Sequence, residues 1–383
     1  MAVLFAVVAI LMIPMYKSDR EDMYNFRTMS FDWQTNPRDH LVPFDPSYTD
    51  YNVLLDGHTH TTISDGRLTP EQLVDYSIAQ GCNAIIVSDH NTVKGGLRAE
   101  EYAKSKYANK IVVIPGMEYS NCRIHMNFIN INTTVTAGNS EFPSDDDIRL
   151  AIGRVHELGG LVIVNHIPWS NRTLDRLKAP RLLNHPSIQS LIDWGVDGFE
   201  VINQETFDMP TYQHMLALNS TATRQTTGTP TPLIFMTGSD VHKPTSAYSW
   251  TVLRARLFTK DAIMEEIANA RTSFLFDPAG NRANIVPDYS TLYLALSPLS
   301  ELAEYFESFY DRYQGQYSFH GSHCQRDIVD FHKLSIVCFV AYFVLGAVIF
   351  EIIHRLLGYI ARRAHNAYSA HNMANTHTSD TLE

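Results

Sequence analysis

Basic charge is what this chain has little of. Its 383 residues hold 30 lysines and arginines against 41 aspartates and glutamates, a formal net charge of −11 with the acidic groups spread widely. A protein that grips nucleic acid through a basic face needs clustered Lys and Arg against the phosphates, so the balance speaks against a stable nucleic-acid complex. Phosphate substrates stay open, because bound metal ions reverse the sign of a local field. Cysteine is scarce as well. Cys82, Cys122, Cys324 and Cys338 form no CxxC pair and no regular spacing, which argues against a disulfide scaffold and a cysteine zinc ribbon. Cys338 lies in an apolar run and reads as a small buried hydrophobe; thiol ligation by Cys122 is a minor alternative. No internal repeat is evident. A hydrophobic content of 45% with 19% charged residues describes a globular chain.

Long apolar runs occur in two places. "AVLFAVVAILMIPM" (residues 2–15) has the length of a signal-peptide core, yet no positive side chain precedes it and no small-x-small cleavage site follows. A short anchor, an uncleaved signal and the remainder of a longer segment are all open. "LSIVCFVAYFVLGAVIF" (334–350) has no charge and continues to residue 353, so a transmembrane helix is expected over 334–353, against the alternative of a buried core helix. The protein is therefore expected at a membrane, single- or double-pass, with the lipid bilayer as a partner. Arg355, Arg362 and Arg363 against Arg326 and Lys333 weakly favour a cytosolic tail, but Lys17 and Arg20 oppose that orientation. Sequons at Asn132, Asn171 and Asn219 would suit a luminal domain, although a glycan on Asn171 would crowd the region of His166. Sidedness stays open.

Between these ends, apolar strands alternate with helical patterns. Runs at 52–57, 83–89, 110–116, 125–131, 161–166, 197–203 and 232–240 read as strands. Helices are expected at 69–81, with Thr69 as N-cap and Pro70 at the first turn, and at 144–160, with Ser144 and Asp147 at capping-box spacing. Strands that are apolar throughout imply a mostly parallel sheet covered on both faces. Some seven such units suit a distorted β/α barrel of the TIM-like kind over residues 51–283. Residues 1–16 and 17–50 precede it as an apolar segment and a linker. An extension over 284–332 carries "LSELAEYFESFYDRYQ", whose Leu302, Tyr305, Phe306, Phe309, Tyr310 and Tyr313 fall on one helical face. The tail over 354–383 reads as polar and disordered.

The strand ends carry the chemistry. The first run delivers His58, His60 and Asp65; the second Asp89 and His90; the third Glu118, and the next opens at His125. "LVIVNH" ends in His166, "GFEV" holds Glu200, and "MTGSDVH" supplies Asp240 and His242. One such histidine is more often a hydrogen-bonded core residue, and "GSD" alone could cap a helix. Six strands offering His, Asp or Glu at the same barrel end, where active sites assemble, outweigh chance. About nine donors exceed the four of a tetrahedral zinc and suit two or three ions. His156 and His185 lie in or beside helices and read as surface or capping residues.

The ordered motifs "HTHTTISDG", "SDHNT", "PGMEYS…H", "VNH", "FEVIN" and "GSDVH", with "DGRLTPEQLVDYSIAQGCNAIIVSDHNT" spanning the first two, resemble the polymerase and histidinol phosphatase (PHP) domain family over residues 51–280. That resemblance implies a distorted β/α barrel with a cluster of manganese, iron or zinc ions that hydrolyses phosphoesters. It implies His58, His60, Asp65, His90, Glu118, His125, His166, Asp240 and His242 as ligands. "NHIPWSNRT" departs from the family's histidine-proline pair, since Ile167 intervenes before Pro168. Divalent ions lower the pKa of water and hold phosphate oxygens, so hydrolysis is the expected reaction. Glu118 is the candidate bridge, Asp240 a ligand that also accepts a proton, and His242 completes the catalytic trio. Asn91, Arg172 and Lys243 are candidate phosphate contacts. The expected substrate is a phosphorylated small molecule, a nucleotide or another monoester. The alternatives are a diester of a lipid or glycan head group, and a metal-binding scaffold or receptor without turnover.

Overall fold

The alternation of strands and helices becomes one mixed sheet. The computed structural model describes residues 24–379 apart from 27, 137, 139, 175–178, 220–231, 282–287, 290, 292–293, 296–304, 307, 314 and 327. The apolar segment expected over 1–16 lies outside the described residues.

One unit comprises Ser18–Ala295 with Gln314–Arg326. In chain order it contains β1 (Val53–Thr59), α1 (Pro70–Ala79), β2 (Ala84–Val87), α2 (Lys94–Lys106), β3 (Val112–Ser120), β4 (His125–Ile129), α3 (Asp145–Glu157) and β5 (Leu161–Val164). There follow α4 (Ile188–Asp193), β6 (Gly198–Asn203), α5 (Met209–Asn219), β7 (Ile234–Gly238), β8 (Ser249–Leu253), α6 (Lys260–Ala268) and β9 (Ser273–Phe276). Neighbouring strands run β6-β5-β4-β3-β2-β1-β8-β9, with β7 parallel to β6 and the short strand Thr206–Phe207 on the other side of β6. The sheet is curled, and its first and last parallel strands meet through a bridge between Thr59 and Val241. This agrees with a distorted TIM-like barrel in outline.

Parallelism is where the expectation falls short. β4 is antiparallel to both β3 and β5, and β8 is antiparallel to β1 and β9. Apolar runs report burial on both faces, not strand direction, and only four residues join β3 to β4, too few for a parallel crossover. Capping follows the sequence closely. Thr69 and Gln72 close one capping box with Pro70 at the helix start, and Ser144 and Asp147 close another. Apolar side chains of β1 to β5 and β7 fill the barrel core, among them Leu55, Ile86, Ile114, Ile163 and Met236.

The described part of the second unit, within Leu296–Tyr313 and Asp327–Glu383, is simpler. β10 (Tyr310–Tyr313) pairs antiparallel with β11 (Ile328–Phe331), and α7 runs from Lys333 to Ser379. The aromatic stretch read as one amphipathic helix is therefore a strand in its second half. Tyr and Phe favour strands as readily as an amphipathic helix face, and pairing with β11 decides between them. Tyr305, Phe306 and Phe309 pack on Phe339 of α7. α7 is long and apolar enough over Lys333–Ala370 to cross a membrane, and that stretch is not buried. The tail read as disordered is helical to Ser379.

Candidate metal centre

Strand ends place the side chains, and sheet direction decides which of them meet. β1 runs straight into His58 and His60. β2 is followed by Asp89 and His90, and His90 bridges to Glu118 on β3. β4 runs backwards, so its first residue, His125, stands beside Ser120 at the same rim. His166 and Asp240 follow β5 and β7 with φ of 26° and 49°, a left-handed turn that directs both side chains inward and persists only where surroundings hold it. The nine residues singled out from the sequence are brought together at one rim.

Glu118 is central and fully buried. Its Oε1 faces His58 Nε2 at 3.7 Å, His125 Nδ1 at 3.2 Å and His166 Nε2 at 3.2 Å. Its Oε2 faces His90 Nδ1 at 2.7 Å and His60 Nε2 at 3.7 Å. Asp240 Oδ1 lies 3.4 Å from His58 Nε2 and 3.1 Å from His60 Nε2. Asp65, partly exposed, meets His90 Nε2 at 3.5 Å and His242 Nε2 at 3.3 Å. Three overlapping donor groups result: His60, Asp65, His90 and His242; His58, His60 and Asp240; His58, Glu118 and His166, each with its ligand atoms within 4.8 Å of one another.

The donors fit divalent cations. His58 Nε2 and His60 Nε2 face each other at 3.0 Å, and His60 Nδ1 and His125 Nε2 are buried without a hydrogen-bond partner. Buried polar atoms are otherwise paired, so such orphans at a concave rim point to a missing cationic partner. Without metal, the groups sort into opposed charges. Burial pushes the His60 imidazole down to about 3, helped by the charges of His242 and His90. Burial also opposes charge on His90 and His242, but Glu118 and Asp65 lift the first to about 9, and Asp65 and Asp240 do the same for the second. Burial disfavours the carboxylates of Glu118 and Asp240 too, yet the surrounding imidazoles hold both well below the usual range.

Supporting residues complete the rim. Glu200, named from the sequence among the strand-end groups but not as a ligand, sets Oε1 3.1 Å from His58 Nδ1 while Oε2 accepts from the His166 amide and Asn203 Nδ2. Asp89 accepts from the Thr61 amide, Thr61 Oγ1 and Ser64 Oγ, which shapes the turn leading to Asp65. Sequence reading assigned neither role, although both residues ended or followed an apolar strand. A cavity of about 380 Å³ adjoins the centre, lined by His166, Trp169, Arg172, Glu200, Asn203 and Asp240.

Of the proposed phosphate contacts, Arg172 is exposed at that cavity and Lys243 is exposed beside His242. Asn91 is placed differently: its amide accepts from the Ser120 N–H and donates to the Ser120 carbonyl, which ties the β2 and β3 ends together. His185 is half-buried. Its Nδ1 donates to the Pro186 carbonyl, its Nε2 is buried, and burial pushes the imidazole down to about 4. His156 anchors α3 to Asp197 at 2.9 Å. Cys122 is joined to Cys324 in a disulfide, a single bridge rather than a scaffold, which removes Cys122 as a thiol ligand. Partners 202 residues apart leave no spacing signal.

Fold and site together define an α/β protein with a multidentate His, Asp and Glu centre. Residues 56–221 match the family model of the PHP domain, which supports a metal-dependent hydrolase of phosphoester bonds. The 5′-3′ exoribonuclease Rnm of Salmonella typhimurium is 36% identical over 114 residues, 28% of this chain and 38% of that protein. The Escherichia coli exoribonuclease of the same name is 40% identical over 93 residues, 23% and 31% of the two chains. The chain thus spans less than two fifths of either relative. A Bacteroides vulgatus two-domain protein, described as containing a predicted PHP-like metal-dependent phosphoesterase, has a TM-score of 0.46 at 19% identity, covering 77% of each chain. The relatives' names overturn the exclusion of nucleic acid and the small-molecule substrate drawn from the sequence. The charge argument failed because it assumed a basic face, whereas cations held in a concave site can meet phosphate on an acidic protein.

Proposed function

We propose that this chain hydrolyses phosphodiester bonds of single-stranded RNA from a 5′ end, at a metal centre formed by His58, His60, Asp65, His90, Glu118, His125, His166, Asp240 and His242. The observation that carries the reading is the Glu118 carboxylate, whose two oxygens face separate sets of imidazoles. A carboxylate can bridge two cations where an imidazole cannot, so the arrangement suits two or three ions of manganese, iron or zinc. Such ions supply water activation and charge stabilisation at the phosphate.

The chain's own groups do the rest. Hydrolysis adds a hydroxyl to phosphorus, breaks the P–O bond to the departing group and returns a proton to that oxygen. Asp240 is positioned to accept the hydrogen bond of the attacking water. His242, whose side chain is 35% exposed, lies beside Asp240 on the solvent side of the centre, where water can return the proton to the departing oxygen. Arg172 stands at the cavity for phosphate contact. Trp169, with Arg181 at 4.9 Å over its ring, offers a surface on which a base can stack. α7 supports attachment to a bilayer, and the Cys122–Cys324 bridge supports exposure of the domain to an oxidising compartment.

The test is hydrolysis of 5′-labelled single-stranded RNA by the full chain with manganese, alongside His60→Ala and Asp240→Ala, with metal content measured for each. Activity is expected to fall at least a hundredfold in either variant, as is usual when a preorganised charge is removed. Full activity in a metal-depleted His60→Ala/Asp240→Ala double variant would sink the mechanism. No turnover of any ester despite full metal loading would favour a binding role instead.

A further inference from the structure

The centre is walled on one side by a part of the chain outside the family match. Residues 316–324 form a small hairpin: the Cys324 amide donates to the Gln316 carbonyl, the Ser318 amide to Ser322, and Tyr317 bridges to His323. Cys324 is bonded to Cys122, between Glu118 and His125. Ser318 and Ser322 both donate to the Glu141 carboxylate, and Gln325 donates to the Pro180 carbonyl. The tip is therefore fixed from several directions. At that tip Phe319 adopts φ of 58°, a conformation a bulky residue takes only where its surroundings hold it there.

Phe319 stacks on His90 with ring centroids 3.5 Å apart, and it lies edge-on to His125 at 6.2 Å. The other face of His90 stacks on His60 at 4.4 Å. His320 approaches Asn91 Nδ2 at 3.3 Å, which continues the barrier along the end of β2. The cavity, by contrast, reaches the centre through His166, Glu200 and Asp240, and the hairpin does not line it. The cavity adjoins the centre at His166 and Asp240, and an aromatic ring covers it at His90.

We infer that Phe319 is a specificity-determining residue: the hairpin makes the cleft blind at His90, so a strand can place its end over the centre but cannot pass through. This rests on the phosphodiesterase reading above and names what selects ends over interiors. A groove open at both sides would admit an internal bond as readily as a terminal one. A blind one admits an internal bond only if the strand turns back within the 380 Å³ cavity, which is too small for several nucleotides.

The experiment uses the manganese-loaded full chain, Phe319→Ala, and the Cys122→Ala/Cys324→Ala double variant that releases the hairpin. Each is given a linear 5′-phosphorylated single-stranded RNA, the same RNA circularised, and bis(p-nitrophenyl) phosphate; metal content is measured in parallel. The unaltered chain is expected to cut the linear RNA at least about a hundredfold faster than the circle. Both variants should raise cutting of the circle about tenfold or more, with linear RNA and metal content little changed. Fast cutting of the circle by the unaltered chain, or no gain in either variant, overturns the inference. So does metal loss in Phe319→Ala, which would make the ring a support for His90 rather than a wall. Hydrolysis of bis(p-nitrophenyl) phosphate without any RNA keeps the phosphodiesterase centre but overturns the end-selecting role. Failure on all three substrates with metal bound overturns the phosphodiesterase reading itself.

Discussion

Glu200→Gln removes one charge from the rim of the centre without changing its volume. Glu200 accepts on both oxygens, from His58 Nδ1 at 3.1 Å on one and from the His166 amide and Asn203 Nδ2, each at 3.0 Å, on the other. A glutamine has one oxygen to offer. With its NH2 toward His58, the imidazole must take the other tautomer, and Nε2 then carries a proton where a metal needs a lone pair. With its NH2 toward His166, two N–H donors confront a third. Gly238 packs close to the pair, leaving no room for a side chain of its own between Glu200 and His58. Losing a hydrogen bond to a charged partner costs about 1.5–3 kcal/mol. Ligand-orienting partners are worth about 10- to 100-fold in metal affinity, which is about 1.4–2.8 kcal/mol, so the two figures agree. Calorimetric titration of the metal-free chain with manganese at neutral pH should show that loss, with circular dichroism confirming an unchanged fold. Affinity within twofold of the unaltered chain would refute the orienting role of Glu200.

Three further outcomes follow from the geometry. Gly95→Ala would set its Cβ 1.7 Å from Asp89 Oδ2 and 2.7 Å from Thr61 Oγ1, so denaturant unfolding should show a loss of about 2–3 kcal/mol. For His185 the folded value of about 4 lies below the ordinary imidazole value of 6.5, so the unfolded chain binds more protons between them. That contribution is present above pH 6.5 and is lost as pH falls towards 4; His185→Gln should flatten that part of the stability profile. Chelation should lower Tm, by the equivalent of about 2.7 kcal/mol where free metal had stood at a hundred times its Kd, and an unchanged Tm would mean that no metal was held.

The sequence by itself determined β1 to β7, the N-caps at Thr69 and Ser144 and the residues at the strand ends. Each of those depends on a few neighbouring positions: an apolar run, a serine three residues before an aspartate, a histidine where burial stops. His58, His60, His90 and His166 were legible because β1, β2 and β5 lead straight to them. Tertiary structure decided what those residues do together. Antiparallel pairing of β4 brings His125 back beside Glu118, and the orientation of Glu118 divides the imidazoles into two sets. Pairing with β11 turns Tyr310–Tyr313 into a strand where helical periodicity also fitted. The bridge from Cys122 to Cys324 spans 202 residues and delivers Phe319 to His90. Local sequence carries propensity and burial, whereas strand direction, disulfide pairing and the closed side of the cleft arise from contacts between segments far apart in the chain.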